Sequence, residues 1–343
     1  MKTLNLNKLI WIFCITVLCV ACKDETTNSK YKLTASIKQK QNPTWAEKLG
    51  WPAGKKVIIL HADDVGMCPE ANDAVLKLLH QNQIQSSSVM IPCPNSEDFI
   101  NWAKQHPKMD IGLHLTLTSE WKTYRWRTLA KATEVPGLLD ENQKMWHEVI
   151  QVVQHASAEE VETEIRAQIN QSIAWGYKPS HIDTHMGTLY GKPSYIKVFT
   201  KIAQEYGIPA NVIDLSKPEV LENFKKKGYP LNDSAVKIVE DYKLPKLDFF
   251  TSAPNTKTYE EKVSSFKNLI QNLKPGLTEI IFHPSTLTEN LKTITNSWQQ
   301  RVWEAKMFSD PDLIRFFEQE GIIFTNWKTI MSRYNKFETK DKF

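Results

Sequence analysis

From Pro43 onward, short apolar runs alternate with amphipathic stretches along the chain. This alternation is typical of βα units, in which buried parallel strands are followed by helices that pack on the sheet. The predicted strands are Val57–Ala62, Ser86–Pro92, Asp110–Leu115, Ser180–Asp183, Ala210–Ile213, Lys246–Phe250, Thr278–Phe282 and Gly321–Thr325. The predicted helices are Pro69–His80, Ser96–Gln105, Ala158–Trp175, Ser194–Tyr206, Tyr259–Asn272 and Asp310–Glu320. The pattern predicts one α/β domain over residues 43–335.

The number of these units distinguishes a barrel from an open sheet. Seven or eight βα units in about 290 residues favour a distorted TIM-like (β/α) barrel over a doubly wound sheet. In both architectures, functional residues lie at the carboxyl ends of the strands. The clearest helix carries Val161, Ile165, Ile169 and Ile173 at intervals of four residues, which predicts one buried face.

One segment, about 118–156, breaks the alternation and is too long for a simple βα loop. Such insertions at the functional face of a barrel usually build a wall of the binding pocket. The segment carries Trp121, Tyr124 and Trp126. These aromatic rings could stack on sugar rings, or they could pack the insertion onto the barrel, and the sequence leaves both alternatives open.

Residues 1–21 have the features of a bacterial export signal. Lys2 and Lys8 are followed by the apolar run Leu9–Val20, which is too short to span a bilayer as a helix. The final residues of the signal and the next one, LCVAC, resemble a lipobox ending at Cys22. The resemblance implies cleavage before Cys22 and lipidation of its thiol, whereas an ordinary secretory peptide is the alternative.

The polar segment 22–42 is predicted to be a tether between the lipid and the domain. We therefore expect an exported protein anchored to a bacterial membrane, on the periplasmic side or at the cell surface. The two cysteines of the domain, Cys68 and Cys93, follow the first two predicted strands, and whether they form a disulfide stays open because their separation decides it.

The charge balance argues against nucleic acid as a partner. The chain has 43 Lys and Arg residues against 39 Asp and Glu residues, with a formal charge of +4 and no block of basic residues. Cleavage after residue 21 removes Lys2 and Lys8 and no acidic residue, which lowers the charge further. The sequence is compatible with a homodimer but does not predict one.

Residue types suited to metal chemistry follow four predicted strands at the point where each strand ends. They are His61, Asp63 and Asp64, then His114, then His181, Asp183 and His185, and then His283. Each group alone has an ordinary structural explanation, such as a polar turn or a hydrogen-bonded histidine. Together they favour a metal hydrolase, because its ligands must reach one ion from several directions and leave positions open for water and substrate.

The motifs resemble those of the YdjC/ChbG-like carbohydrate deacetylases, a branch of the polysaccharide deacetylase superfamily. The matching segments are HADDVG at 61–66, IQSSSVMIP at 84–92, IGLHLTLT at 111–118, SHIDTHMG at 180–187 and IIFHPS at 280–285. Their order agrees with the family across roughly residues 55–330. The resemblance implies a distorted TIM-like barrel that removes N-acetyl groups from amino sugars with one divalent metal ion, Mg²⁺ or Zn²⁺.

The resemblance also implies individual roles for the residues that match the motifs. Asp64, His114 and His185 correspond to metal ligands, Asp63 to the general base, and His283 to the group that protonates the leaving amine or stabilises the tetrahedral intermediate. His61, His181 and Asp183 would then support these groups or contact substrate, as would Trp121 and Trp126. Many family members have a further histidine where this chain has Gly187, so we expect a more open wall there.

Two other functions remain possible at this point. A metal hydrolase could act on another amide or on an acetyl ester, or the protein could be a carbohydrate-binding surface lipoprotein without catalysis. The presence of Asp63 speaks against the second, because binding alone does not need a base beside the ligands.

Overall fold

The structure is a computed structural model in which residues 42–340 are described, with side chains to residue 337. The predictions for the signal peptide, the tether and lipidation at Cys22 lie outside the described residues. Within the described part of the chain, no helix is both long enough and apolar enough to cross a membrane.

The strands of the described chain form one parallel sheet of seven strands. They are β1 (Lys56–Val65), β2 (Ser86–Val89), β3 (Ile111–Leu115), β4 (Ile182–Thr184), β5 (Phe249–Ser252), β6 (Gly276–Phe282) and β7 (Ile323–Phe324). Their spatial order is β4-β3-β2-β1-β6-β5, and β7 pairs with the beginning of β1. Because all the pairs are parallel, the carboxyl ends of the strands lie at one edge of the sheet.

Helices surround this sheet, and they confirm all six predicted helices to within one residue at each end. They are α1 (Trp45–Lys48), α2 (Pro69–His80), α3 (Ser96–Gln105), α4 (Val149–His155), α5 (Ala158–Ala174), α6 (Pro193–Tyr206), α7 (Pro218–Lys226), α8 (Asp233–Asp241), α9 (Tyr259–Asn272), α10 (Glu289–Ile294), α11 (Trp298–Phe308), α12 (Pro311–Gln319) and α13 (Trp327–Lys340). Local signals explain several starts: Ser157 and Glu160 form a capping box at α5, and α2 begins with a proline.

The prediction of a strand at Ala210–Ile213 is wrong. This segment forms two isolated parallel bridges, one from Ala210 to Ile182 and one from Ile213 to Leu247. Between them the N–H of Val212 donates to the carbonyl oxygen of Ala210 over 2.6 Å, so the chain turns and changes partner before a ladder can form. These bridges link the β4 edge to the segment that leads into β5. The sheet therefore curls into a distorted barrel that is closed only by isolated bridges between these two edges.

The core of the barrel is built from the strands and the inner faces of the helices. On α5, Val161, Ile165 and Ile169 are fully buried, as the pattern predicts, but Ile173 is 44% exposed. Four residues turn a helix by more than one full turn, so a stripe at intervals of four rotates progressively around the helix. By Ile173 the stripe has moved past the sheet.

A second apolar cluster lies where β1 and β2 end and holds the inserted segment against the barrel. It contains Cys68, Cys93, Met67, Trp126 and Met145 among its buried members. Both cysteines are buried free thiols, so the structure forms no disulfide between them. Because Trp126 and Met145 belong to the insertion, this packing fixes the insertion at the carboxyl edge of the sheet.

Candidate metal centre

The end of β1 carries a bulge that turns two neighbouring carboxylates towards one site. Ala62 pairs with Ser87 and Val65 with Val89, so β1 has one residue more than β2 between these pairs. Asp64 adopts the left-handed conformation with a φ of 60°. The bulge brings Asp63 Oδ2 and Asp64 Oδ1 to within 4.0 Å and 3.4 Å of the same nitrogen, His114 Nε2.

Asp64, His114 and His185, which we call the cavity triad, come from the ends of β1, β3 and β4. Asp64 Oδ1 lies 3.4 Å from His114 Nε2 and 3.3 Å from His185 Nδ1. One ligand atom from each of the three residues lies within 4.8 Å of the others. All three side chains are nearly buried, so the space between them is shielded from bulk water and suits a small cation.

Two carboxylates orient the histidines of the cavity triad. Asp183 Oδ1 lies 2.6 Å from His114 Nδ1, and Glu120 Oε2 lies 3.0 Å from His185 Nε2. When those nitrogens donate to the carboxylates, the opposite nitrogens present their lone pairs to Asp64 Oδ1. A carboxylate behind a histidine is the usual outer support of a metal ligand.

Asp63 and His283 lie beside the cavity triad. Asp63 Oδ1 is 3.1 Å from His61 Nε2, which holds that side of the carboxylate. The other oxygen, Asp63 Oδ2, lies 3.9 Å from His283 Nε2. The side chain of His283 is 34% exposed, and its backbone N–H donates to Glu304 over 2.7 Å. The two groups therefore face each other across a gap at the open side of the site.

His61, His181 and Asp183, which we call the buried triad, form a second polar cluster. His61 is fully buried, and its ring nitrogens lie 3.0 Å from the hydroxyls of Ser86 and Ser88. His61 Nε2 is also 3.0 Å from Asp183 Oδ2. Asp183 therefore bridges the two triads, since its other oxygen binds His114.

His181 packs below the site and does not line the cavity. Its Nδ1 is 2.9 Å from Ser180 Oγ, and its ring stacks on Trp327 at 5.7 Å. A Cβ on Gly112 would lie 2.4 Å from His181 Nε2, so glycine is needed for β3 to pass this ring. This close packing supports a structural role for His181.

The carboxylates dominate the electrostatics of the cavity triad. Burial alone lowers the pKa of His185, but Glu120 and Asp64 outweigh burial and raise that pKa to about 9. Burial also opposes the charge on His114, yet Asp183 and Asp63 raise its pKa well above the usual range. A field that stabilises positive charge at both imidazoles is also one that favours a cation between them.

A cavity of about 400 Å³ opens over the cavity triad, a volume suited to a small ligand. Asp63 and His283 line it, together with Arg301 and Asp183. His61, His181, Trp121 and Trp126 are absent from its lining within the described residues. The cavity thus separates the predicted site residues into those that can meet a ligand and those that support them from behind.

Sequence similarity shows which family the chain belongs to. A family model described as YdjC-like protein matches residues 57–319. The chain belongs to the YdjC-like family. It is 30% identical over 274 residues to a carbohydrate deacetylase of Thermus thermophilus, which covers 78% of this chain and 92% of that relative. A carbohydrate deacetylase of Clostridium beijerinckii is 26% identical over 274 residues, 80% of this chain and 99% of the relative.

A solved structure supports the fold of this YdjC-like chain. An Enterococcus faecalis protein named for cellobiose-phosphate cleavage superposes with a TM-score of 0.67 and 22% identity. The superposition covers 80% of this chain and 99% of that chain. The similarity shows that the curled parallel sheet and its surrounding helices form a known architecture.

Sequence reasoning missed two residues of the site in this YdjC-like chain. Glu120 lies just after the GLHLT run and holds His185, and Arg301 of α11 donates to Asp64 Oδ2 over 2.6 Å. Burial opposes ionisation of Asp64, but Arg301 and the nearby histidines lower its pKa well below the usual range. The position of Glu120 beside a motif could have indicated its role, whereas nothing local in the sequence marks Arg301.

The aromatic residues of the insertion mainly pack the insertion onto the barrel. Trp126 is only 4% exposed, and its indole N–H donates to the carbonyl of Thr118 over 3.0 Å. The hydroxyl of Tyr124 donates to the carbonyl of Met67 over 2.6 Å. Trp121 is half-buried under the guanidinium of Arg301, at 5.6 Å. Stacking of Trp126 on a sugar would require this packing to break.

The wall at Gly187 is filled rather than open. Gly187 has a φ of +67°, and a Cβ built there would lie 2.3 Å from the hydroxyl oxygen of Tyr229. Tyr229 reaches this position from the connection between α7 and α8. The expectation of an open wall is therefore wrong, because a residue distant in sequence occupies the space.

Proposed function

We propose that this YdjC-like protein is a metal-dependent hydrolase that removes the N-acetyl group from an amino sugar or oligosaccharide. The convergence of the cavity triad with Asp63 and His283 at one cavity carries this proposal. The names of the relatives, which are carbohydrate deacetylases, support the substrate class.

The cavity triad fits a divalent cation by the chemistry of its donor atoms. Asp64 Oδ1 is buried and accepts no hydrogen bond from the described residues, and two histidine nitrogens face it. When both histidines are neutral, as metal ligands must be, their lone pairs and that of Asp64 Oδ1 are directed at one point, and a cation there would satisfy all three. One carboxylate and two imidazoles suit Zn²⁺, and also Mg²⁺ with several waters. The bound ion would supply Lewis acidity towards the acetyl carbonyl and the attacking water.

Asp63 would act as the general base. His61 holds Asp63 Oδ1, which leaves Asp63 Oδ2 facing the cavity to accept a proton from the attacking water. Asp63 Oδ2 is 4.0 Å from His114 Nε2, so the carboxylate lies beside the cavity triad. A positioned base of this kind typically contributes about 10²–10⁴-fold to the rate.

His283 would protonate the leaving amine. It follows β6 on the open side of the cavity, and its Nε2 faces Asp63 Oδ2 across 3.9 Å. A scissile amide bound in the cavity over these two groups would have both the base and a proton donor within reach. Imidazole suits this role near neutral pH, because it can release and regain a proton there.

The alternative functions place different demands on the same cavity. A hydrolase for another amide or for an acetyl ester would use the same triad and base, so the substrate panel separates it from the proposed function. A protein that only binds carbohydrate would not need Asp63 between a metal site and His283.

Acetate release from N-acetylglucosamine oligomers tests the proposal. We expect the purified protein to release acetate with an equal amount of free amine, to stop when a chelator is added, and to recover when a divalent metal is returned. Release that continues in chelator would exclude the metal. Hydrolysis of acetyl esters without any release from N-acetyl sugars would exclude the amide substrate.

We further propose that the mature protein is exported and carries lipid on Cys22. The support is the LCVAC run and the preceding apolar signal. Mass spectrometry of the N-terminal peptide from the native host is the test. We expect cleavage before Cys22 and a lipid-modified thiol, and an unmodified Cys22 would contradict the anchor.

A further inference from the structure

The cavity has a second group of lining residues that the sequence motifs do not include. They come from the connection between β4 and β5 and include Asn211, Ile213, Phe224, Lys227 and Tyr229. We call this group the connection wall. The proposed chemistry at the cavity triad does not use any of these residues, so their contribution to the cavity needs a separate explanation.

Asn211 presents an amide that lacks a protein partner. The residue is 5% exposed, and its Oδ1 is buried without a hydrogen bond from the described residues. Its backbone is fixed, because its N–H donates to Ile182 over 3.1 Å and its carbonyl accepts from the hydroxyl of Tyr190 over 3.2 Å. A buried polar group that cannot relax towards a partner destabilises the fold unless a ligand satisfies it.

Tyr229 presents a phenol hydroxyl beside the metal centre. Its ring packs edge-to-face on Phe224 at 5.6 Å and on Tyr190 at 6.4 Å, which fixes its direction. The hydroxyl lies against the backbone of Gly187, only two residues after His185. Within the described residues, no protein group forms a hydrogen bond with this hydroxyl.

We propose that Asn211 and Tyr229 determine specificity by binding the ring hydroxyls of the sugar whose acetamide lies over Asp63 and His283 in the cavity. This proposal rests on the proposed function and adds the residues that recognise the sugar. A carboxamide and a phenol each donate and accept hydrogen bonds, which matches the hydroxyls of a neutral sugar. Lys227, the cation among these wall residues, is exposed, so Asn211 and Tyr229 do not form an anion site.

The test compares Asn211→Ala and Tyr229→Phe with the parent protein on N-acetylglucosamine oligomers. Each variant removes polar groups from the connection wall without touching the cavity triad. We expect KM to rise about 10-fold in each variant, the order expected when a buried hydrogen bond to substrate is lost. We expect kcat and bound metal to change less than about threefold. The matched control is Tyr206→Phe. It removes an exposed hydroxyl of α6 that donates to Asn170 of α5, and neither residue lines the cavity.

Substrates that lack single hydroxyls distinguish recognition from a structural effect. If Asn211 binds a given ring hydroxyl, the deoxy sugar lowers kcat/KM for the parent protein and gives no further loss in Asn211→Ala. The same cycle applies to Tyr229→Phe. Equal losses with every deoxy sugar in parent and variants, or a fall in kcat and metal content instead of a rise in KM, would overturn the proposal.

Binding measurements separate failure of this inference from failure of the proposed function. Calorimetry with the N-acetylglucosamine dimer reports recognition even when no acetate is released. If the parent binds the dimer without hydrolysing it, and the two variants bind it about 10-fold more weakly, the connection wall is correct and the proposed reaction is wrong. If Lys227→Met weakens binding and the other two variants do not, the wall recognises an acidic group and the inference is wrong. A parent protein that neither binds nor hydrolyses N-acetyl sugars overturns both.

Discussion

The cavity triad and the buried triad contain the same residue types but differ in what their nitrogen atoms can reach. Each has one aspartate and two histidines, and each has ligand atoms within 4.8 Å of one another. In the buried triad, both nitrogens of His61 already meet serine hydroxyls, and His61 and His181 are absent from the lining of the described cavity. In the cavity triad, each histidine keeps one nitrogen directed at Asp64.

This difference shows which features define a metal site in the barrel. Residue type and spacing alone describe both triads equally well. Lone pairs that face a cavity, with a carboxylate supporting the opposite nitrogen, distinguish the one that can hold an ion and admit a ligand. The predictions below test that distinction, beginning with the largest expected effect.

Removing any ligand of the cavity triad should abolish metal binding and hydrolysis. In Asp64→Ala, His114→Ala or His185→Ala, we expect affinity for the divalent ion to fall by well over ~100-fold. That is more than the loss of a residue that only supports a metal ligand from behind usually costs. Calorimetric metal titration and acetate release are the measurements. His181→Gln in the buried triad is the control and should keep metal affinity near that of the parent. Three single variants that all bind metal as the parent does would refute the assignment.

Asp63→Asn should separate the base from the ligands. Asparagine fills nearly the same volume and leaves the cavity triad unchanged, so we expect the fold and the bound metal to remain. The rate should fall by about 10²–10⁴-fold, because the proton acceptor is lost. Metal content, thermal midpoint and acetate release are measured together on the same preparation. A variant that is metal-loaded, stable and fully active would show that Asp63 is not the base.

Glu120→Gln should weaken metal binding less than loss of a ligand does. Glutamine can still accept a hydrogen bond from His185 Nε2, but the negative charge that raises the pKa of His185 is gone. We expect metal affinity to fall by about 10-fold, at the lower end of the range for outer partners, and Glu120→Ala to fall further. The nearby Glu134→Gln on the same insertion serves as a charge control. Identical metal affinity in Glu120→Ala and the parent would contradict the support of His185 by Glu120.

His181 should make the stability of the domain depend on pH. Burial lowers the pKa of this histidine to about 4, from an ordinary value near 6.5 in the unfolded chain. The unfolded state therefore binds more protons between these two pH values. The contribution of neutral His181 to stability is fully present above pH 6.5 and is lost as the pH drops towards 4. When this contribution is fully lost, the free energy of unfolding has fallen by about 3 kcal/mol.

Thermal midpoints from pH 7 to pH 4.5 test this dependence. We expect His181→Gln to lose less stability on acidification than the parent does, while the exposed His155→Gln behaves as the parent. Parallel curves for all three proteins would show that His181 does not remain neutral in the folded state.

The residues of the cavity triad were predictable because each lies in a short motif at the end of a strand. Asp64, His114 and His185 are marked by local sequence, and the parallel topology brings strand ends together. Arg301 could not be found in this way, since its contact with Asp64 spans 237 positions along the chain. Glu120 lies in an irregular loop whose direction no periodic pattern specifies.

The fold was predictable where periodicity decides the structure and not where tertiary pairing does. The helices carry repeated apolar positions and capping residues, so their bounds follow from sequence. The segment Ala210–Ile213 has the composition of a strand, but it changes pairing partner within three residues. The bulge at Asp63 and Asp64 likewise depends on the register with β2, which single-strand alternation cannot reveal.

Locating a bound metal ion by anomalous X-ray scattering tests the central claim most directly. Crystals of the full chain grown with Zn²⁺ would be measured on both sides of the zinc absorption edge. The account predicts one strong peak within the barrel, between Asp64 Oδ1, His114 Nε2 and His185 Nδ1. A peak among His61, His181 and Asp183, or no peak at the carboxyl ends of the strands, would contradict it.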